Sequence, residues 1–270
     1  MNLPASVFFP PVTPEQFALL PHDDQGPHLL AAAWALTGLS ALFLGTRLYC
    51  KLCRGTAHGG RRGGLRGLWW DDYILTAAWV CLAVSSILHT VNVVVGGYGK
   101  HLWDVGSNYT IGVIIDTFLR LNIISTLTTT ASVWTKTSFA LTLVKLCDGW
   151  TRRSIWAAIV LMNAIMLVAC VLPWTRCKPI SATWNFLQEE LGQCLPIGLF
   201  VGYNTFATSS TAAVDIILAL LPWKIIWDLQ MKKIEKIGVG VAMSCGLFAG
   251  AVTIVKAVKT QKMSTVDPGK

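Results

Sequence analysis

A chain of 270 residues that is 53% hydrophobic and only 13% charged carries more apolar surface than a water-soluble core of that size can hide. Lipid must solvate most of it. The net charge of +8 does not mark a nucleic-acid binder, because the basic residues gather in short stretches between apolar runs and do not track a phosphate groove.

The first segment, residues 1–28, holds Glu15, Asp23 and Asp24 but no Lys or Arg. It lacks the basic flank of a secretory signal peptide, so the first apolar run is expected to stay in the membrane as a signal anchor. An apolar run of about 20 residues crosses a hydrocarbon core of ~30 Å, and it does so as a helix because nothing else satisfies the backbone in lipid. Six runs qualify: 29–50, 73–95, 123–146, 154–174, 198–222 and 237–258. They predict an all-α, multi-pass transmembrane helix bundle over 29–258, followed by a short tail, 259–270. The third run is the most polar, with Thr126, Thr128, Thr129, Thr130, Lys136 and Ser138.

Charge between the runs sets the orientation. Lys51, Arg54, Arg61, Arg62, Arg66, Arg152, Arg153, Lys224, Lys232, Lys233 and Lys236 fall on one side. The other side has Lys100, Arg120, Arg176 and Lys178 before the tail. The positive-inside rule therefore predicts an N-terminus outside the cytoplasm. The only N-x-S/T triplet, Asn108-Tyr109-Thr110, lies in the predicted outer loop after the second run, where glycosylation is expected. Cys177 and Cys194 lie in the outer loop after the fourth run, where oxidising conditions let them pair. Lys259, Lys262 and Lys270 run against the rule, since six crossings bring the tail outside.

Ionisable groups inside the runs define candidate sites. Lys136 lies near the middle of the third run, where a charge costs at least ~3 kcal/mol unless it faces the bundle interior and finds a partner. Asp215 is the natural partner. The third and fifth runs point the same way, and the two residues differ in depth by roughly 6 Å at 1.5 Å per residue, within a lysine's reach. Two readings stay open, a ligand or ion site around the pair or an interior salt bridge holding two helices. Asn204, Thr208, Thr211 and Asp215 recur at helical spacing on one face of the fifth run, either lining a polar pocket or bonding neighbouring helices. Gly238, Ala242, Gly246 and Gly250 form a ridge of small residues on the sixth run, which suits close helix packing, including against a second copy.

Asp71 and Asp72 sit at the start of the second run, where carboxylates cap free N–H groups, and Trp69, Trp70 and Tyr73 anchor at the interface. The adjoining basic loop, Lys51 to Arg66, offers a surface for anionic lipid or a cytoplasmic signalling partner. Cys50 and Cys53 read as thiols beside the membrane, open to palmitoylation, without a second pair to complete a metal site. His89 is expected to bond a neighbouring helix.

With the runs placed, a set of residues resembles the fungal rhodopsin-domain integral membrane proteins, which include receptor-like proteins linked to pathogenesis and membrane proteins of toxin gene clusters such as that for satratoxin. The resemblance rests on Trp70-Asp71-Asp72-Tyr73 and Gly97-Tyr98-Gly99-Lys100-His101 at the two ends of the second run. It continues with Lys136-x-Ser138, with Cys177, Trp184 and Cys194, and with Asn204, Asp215 and Pro222. It covers roughly residues 30–258. The family pattern implies seven helices, so the chain's end after six is expected to mean a truncated gene model, a splice variant or a degenerate copy. Microbial rhodopsins hold retinal on a seventh-helix lysine, so neither retinal nor any other cofactor is expected.

The resemblance implies a receptor-like sensor in the plasma membrane. Two other classes compete with it: a membrane-embedded cyclase of secondary metabolism, for which Asp215 and Asp116 are the available acids, and a transporter or tolerance protein. No phosphate-binding loop, metal-ligand cluster or nucleophile with a base is present, and no inverted repeat marks a transport site. The expectation is a protein that is not an enzyme.

Overall fold

A computed structural model describes residues 24–57, 70–100, 104, 110–144, 149–185, 193–228 and 251; for 52–57, 197 and 218–228 the description is of the backbone. Five long helices account for most of it: α1 Gly26–Ala57, α2 Trp70–Val94, α3 Ile111–Val144, α4 Gly149–Thr175 and α5 Ile197–Asp228. The first four are long and apolar enough to cross a membrane. In α5 a single charge, Asp215, interrupts the apolar sequence before Lys224. The protein is an all-α, multi-pass membrane protein. Apart from Ala251, the run 237–258 with Gly238, Ala242, Gly246 and Gly250 lies outside the described residues, as do the tail 259–270, Asn108 and His101.

Four of the five helices begin within a few residues of their apolar runs. Helix α3 instead begins at Ile111, twelve residues ahead of the run that predicts it. Its first turn is closed by the Thr110 carbonyl, which accepts from the amides of Val113 and Ile114 at 3.0 and 3.3 Å. Asp116 and Arg120 follow one turn apart, with 4.0 Å between their charged atoms. Hydropathy locates the part of a helix that lies in lipid, and polar turns that continue beyond it escape notice. Lys136 is consequently eight residues from the end of α3, about 12 Å from it along the axis, and belongs to the C-terminal half of that helix.

The chain divides into two packed units, one of residues 1–132 and 177–193 and the other of 133–176 and 194–270. In the first, α1 and α2 are joined by hydroxyl and indole groups. Thr37 and Ser86 place their oxygens 2.8 Å apart, Trp34 Nε1 donates to Thr90 Oγ1 at 3.1 Å, and Trp79 Nε1 donates to the Thr37 carbonyl at 3.4 Å. Such contacts contribute about 0.6 kcal/mol each in lipid, and the small side chains also let the helices approach. Ala78, Ser85 and Asn92 recur every seven residues of α2 and are all buried. Gly96, on the continuation of that face, lies against the Thr117 hydroxyl of α3 so closely that a Cβ would collide with it.

In the second unit, α4 and α5 pack with the last turns of α3 in two apolar clusters. One holds Ala140, Leu143, Val144, Ile155 and Ile159; the other holds Val133, Met162, Met166 and Ala207. Polar groups tie the helices across them. Tyr203 donates its hydroxyl to the Ile165 carbonyl at 2.7 Å, and Asn163 Nδ2 donates to Thr137 Oγ1 at 3.1 Å and to the Ile159 carbonyl at 2.8 Å.

The loop after α4 carries a two-residue strand pair, β1 Cys177–Lys178 with β2 Gln193–Cys194, and a disulfide between Cys177 and Cys194. Closing a loop of about 15 residues removes close to 3 kcal/mol of unfolded-state entropy. Cys194→Ser is expected to destabilise the protein by about that amount. Reductant should then lower the unfolding midpoint of the wild type and leave that of the variant where it is.

Candidate functional site

Lys136 Nζ donates to Asp215 Oδ2 at 2.9 Å, and the two side chains are only 15% and 10% exposed. The last turns of α3 bring Lys136 between Val133 and Ala140, about one helical turn from a member of each apolar cluster. Asp215 follows Val214, which packs against both clusters. A pair in such surroundings is screened weakly, so each charge depends on the other. Ser138, two residues further on α3, is fully buried.

The remaining members of the polar face of α5 behave differently. Asn204 Nδ2 donates to the Phe200 carbonyl at 3.0 Å and Thr208 Oγ1 to the Asn204 carbonyl at 2.7 Å, both within their own helix. Thr211 bonds the Ala207 carbonyl at 2.9 Å and reaches the Met166 sulfur on α4 at 3.6 Å. The structure therefore brings Lys136, Thr211 and Asp215 into contact with other helices, whereas Asn204 and Thr208 turn their donors back on α5. Threonine hydroxyls in helices commonly bond the carbonyl four residues earlier, so a polar stripe in sequence overstates what is offered to a ligand.

A groove of about 490 Å³ lies between the C-terminal end of α4 and the N-terminal end of α5, lined by Leu172, Leu195, Leu199, Gly202, Tyr203 and Phe206 among others. At 100° per residue these α5 positions fall on the side roughly opposite Asp215. The groove does not lead to the ion pair.

A second ionic site joins α1 to α2. Asp71 and Asp72, in the first turn of α2, have side chains 1% and 0% exposed. Arg47 reaches Asp71 at 2.8 Å and Asp72 at 3.2 Å; Lys51 reaches Asp72 at 2.6 Å and Asp71 at 3.3 Å. The acids are not mere helix caps facing water. Two adjacent buried carboxylates repel unless cations sit against both, and the last turns of α1 supply them. Lys51, which the charge pattern assigns to a free basic loop, is committed to this cluster. Arg47 escaped the sequence reading because it lies inside an apolar run; a cation there is itself the signal that an acid waits on another helix. Cys50, between the two cations in sequence, is an exposed free thiol.

The Gly97–Lys100 turn closes the C-terminal end of α2. The Asn92 carbonyl accepts from the amides of Gly96 and Tyr98, both at 3.0 Å, Gly97 accepts from Lys100 at 3.1 Å, and Gly99 accepts from Gln25 at the start of α1 at 3.1 Å. Gly99 has φ +107°, and a Cβ there would lie 2.5 Å from Gly26 N. Only glycine combines that conformation with that approach. Gly99→Ala is expected to destabilise the first unit by about 1–3 kcal/mol, read as a lower unfolding midpoint with faster exchange at the Gln25 amide. His89, expected to bond a neighbouring helix, instead lies with its ring 6.2 Å from that of Tyr98, and its Nδ1 is buried without a partner among the described residues.

No curated protein sequence and no solved structure gives a significant match to the chain. The profile of the fungal rhodopsin domain matches residues 60–269, a stretch that contains the Asp71-Asp72 pair, the glycine turn, Lys136 and Asp215, and the chain therefore belongs to the fungal rhodopsin domain family.

Proposed function

We propose that this membrane protein is a receptor-like sensor of the plasma membrane, with its N-terminus outside and its basic loops meeting a cytoplasmic signalling partner, and that it is not an enzyme. The observation that supports this reading is the Lys136–Asp215 pair, 2.9 Å apart and held between apolar clusters. A buried pair that joins two helices is a two-position element, since a ligand or a shift of α5 that takes one partner away leaves the other charge uncompensated. A disulfide-closed loop lies beyond one end of α5, and the basic stretch lies beyond the other. The resemblance to receptor-like and toxin-cluster proteins points to a small molecule of pathogenesis or secondary metabolism as the stimulus.

A cyclase would need acids free to deliver protons to a substrate. Asp71, Asp72 and Asp215 each have a cation within 3.3 Å, and Asp116 is 63% exposed near the start of α3. That distribution favours a sensor over a proton donor.

The test pairs location with response. The tagged chain should lie at the cell surface, and fractions of spent culture medium should change a transcriptional readout in cells with the wild-type chain but not with Lys136→Met. Retention of the folded protein in internal membranes would overturn the surface-sensor reading.

A further inference from the structure

We propose that His89 and Asn92 hold a hydroxyl-type oxygen, that of a water molecule or of a small bound alcohol, beneath the Gly97–Lys100 turn. Asn92 is completely buried, and neither Nδ2 nor Oδ1 has a hydrogen-bond partner among the described residues. His89 Nδ1, three residues earlier on the same helix, is buried and equally without a partner. An amide left in this state costs several kcal/mol in apolar surroundings, and buried polar groups are nearly always satisfied by protein or by ordered water.

Ser85, Thr90 and Thr117, hydroxyl residues of α2 and α3, already donate their protons within their own helices. Ser85 Oγ donates to the Leu82 carbonyl at 2.7 Å, Thr90 Oγ1 to the Ser86 carbonyl at 2.9 Å, and Thr117 Oγ1 to the Val113 carbonyl at 2.8 Å. Side chains three residues apart on a helix have Cβ atoms about 5–6 Å apart. Two hydrogen bonds of about 2.8 Å meeting at one oxygen span that distance. A hydroxyl oxygen both donates and accepts, which is what an amide with an empty donor and an empty acceptor requires. A halide or a bare cation meets only half of that requirement. The Asn92 carbonyl organises the turn above, and the Tyr98 ring stands beside His89, so the site is roofed by the same glycine segment that docks on α1.

The experiment uses the full chain, labelled with nitrogen-15 and placed in lipid nanodiscs, with magnetisation transferred from water to protein. A water cross-peak on the Asn92 side-chain amide is expected, and it should be lost in Asn92→Leu together with a shift of the His89 ring nitrogens. Asn92→Ser, which keeps a hydrogen-bonding group, should retain the wild-type His89 resonances. Addition of ethanol separates the two sources of the oxygen. A persistent water peak assigns resident water, and replacement by an ethanol peak assigns an exchangeable alcohol site. The proposal falls if neither solvent gives a peak at Asn92 in the wild type while surface amides do, a result read without any variant. It also falls if Asn92→Leu raises the unfolding midpoint and leaves the His89 ring unmoved.

Discussion

Lys136→Met is expected to destabilise the second unit by about 3–5 kcal/mol, because it leaves Asp215 buried beside Val214 with no cation against it. Asp215→Leu should do comparable damage from the other side. The double variant Lys136→Met with Asp215→Leu should recover most of the loss, since two apolar residues of similar volume suit the flanking clusters and need no compensation. Thermal unfolding of the purified chain in detergent reads all three. The double variant also separates the two meanings of the pair. A strut that only joins α3 to α5 can be replaced by apolar packing with function retained, whereas a switching element cannot. Cells carrying a stable, correctly located double variant that still respond to medium fractions would therefore show that the pair is a strut.

Asp72→Ala should be the most damaging single change in the first unit, at about 3 kcal/mol. Its carboxylate is fully buried and takes Lys51 at 2.6 Å and Arg47 at 3.2 Å, so its loss leaves two cations sharing Asp71. The figure sits at the lower end for a broken buried pair because Arg47 and Lys51 are about one-third exposed and keep some water. Asp72→Leu combined with Lys51→Met should restore part of the stability, leaving Arg47 with Asp71. Labelling of Cys50, exposed between the two cations in sequence, gives a second measure, since loosening of the last turns of α1 should speed its reaction. Unchanged midpoints and unchanged labelling in Asp72→Ala would show that water, not the cluster, compensates these acids.

What was legible in advance follows from which forces act locally. Helix class and the positions of the first, second, fourth and fifth runs were readable because lipid demands internally bonded backbone, and apolar length alone reports it. The partnership of Lys136 and Asp215 was readable for a similar reason: a charge within an apolar run must find its opposite, and few opposites exist. The early start of α3 was not readable, because Asp116 and Arg120 lower its hydropathy without breaking the helix. The stripe on α5 misled in part, because whether Asn204 and Thr208 bond outward or back onto their own helix depends on rotamers that spacing does not specify.

Composition and apolar run length by themselves determined that this is a multi-pass helical membrane protein, and short motifs along the chain carried the resemblance to the fungal rhodopsin domain family that the profile match shows. Only the tertiary structure decided that Arg47 and Lys51 belong to Asp71 and Asp72, that Gly99 must be glycine because Gly26 lies against it, and that the Asn92 side-chain amide and His89 Nδ1 are left without hydrogen-bond partners among the described residues. The physical reason is range: burial in lipid is set residue by residue along the chain, whereas charge compensation and hydrogen-bond pairing are settled between helices tens of residues apart.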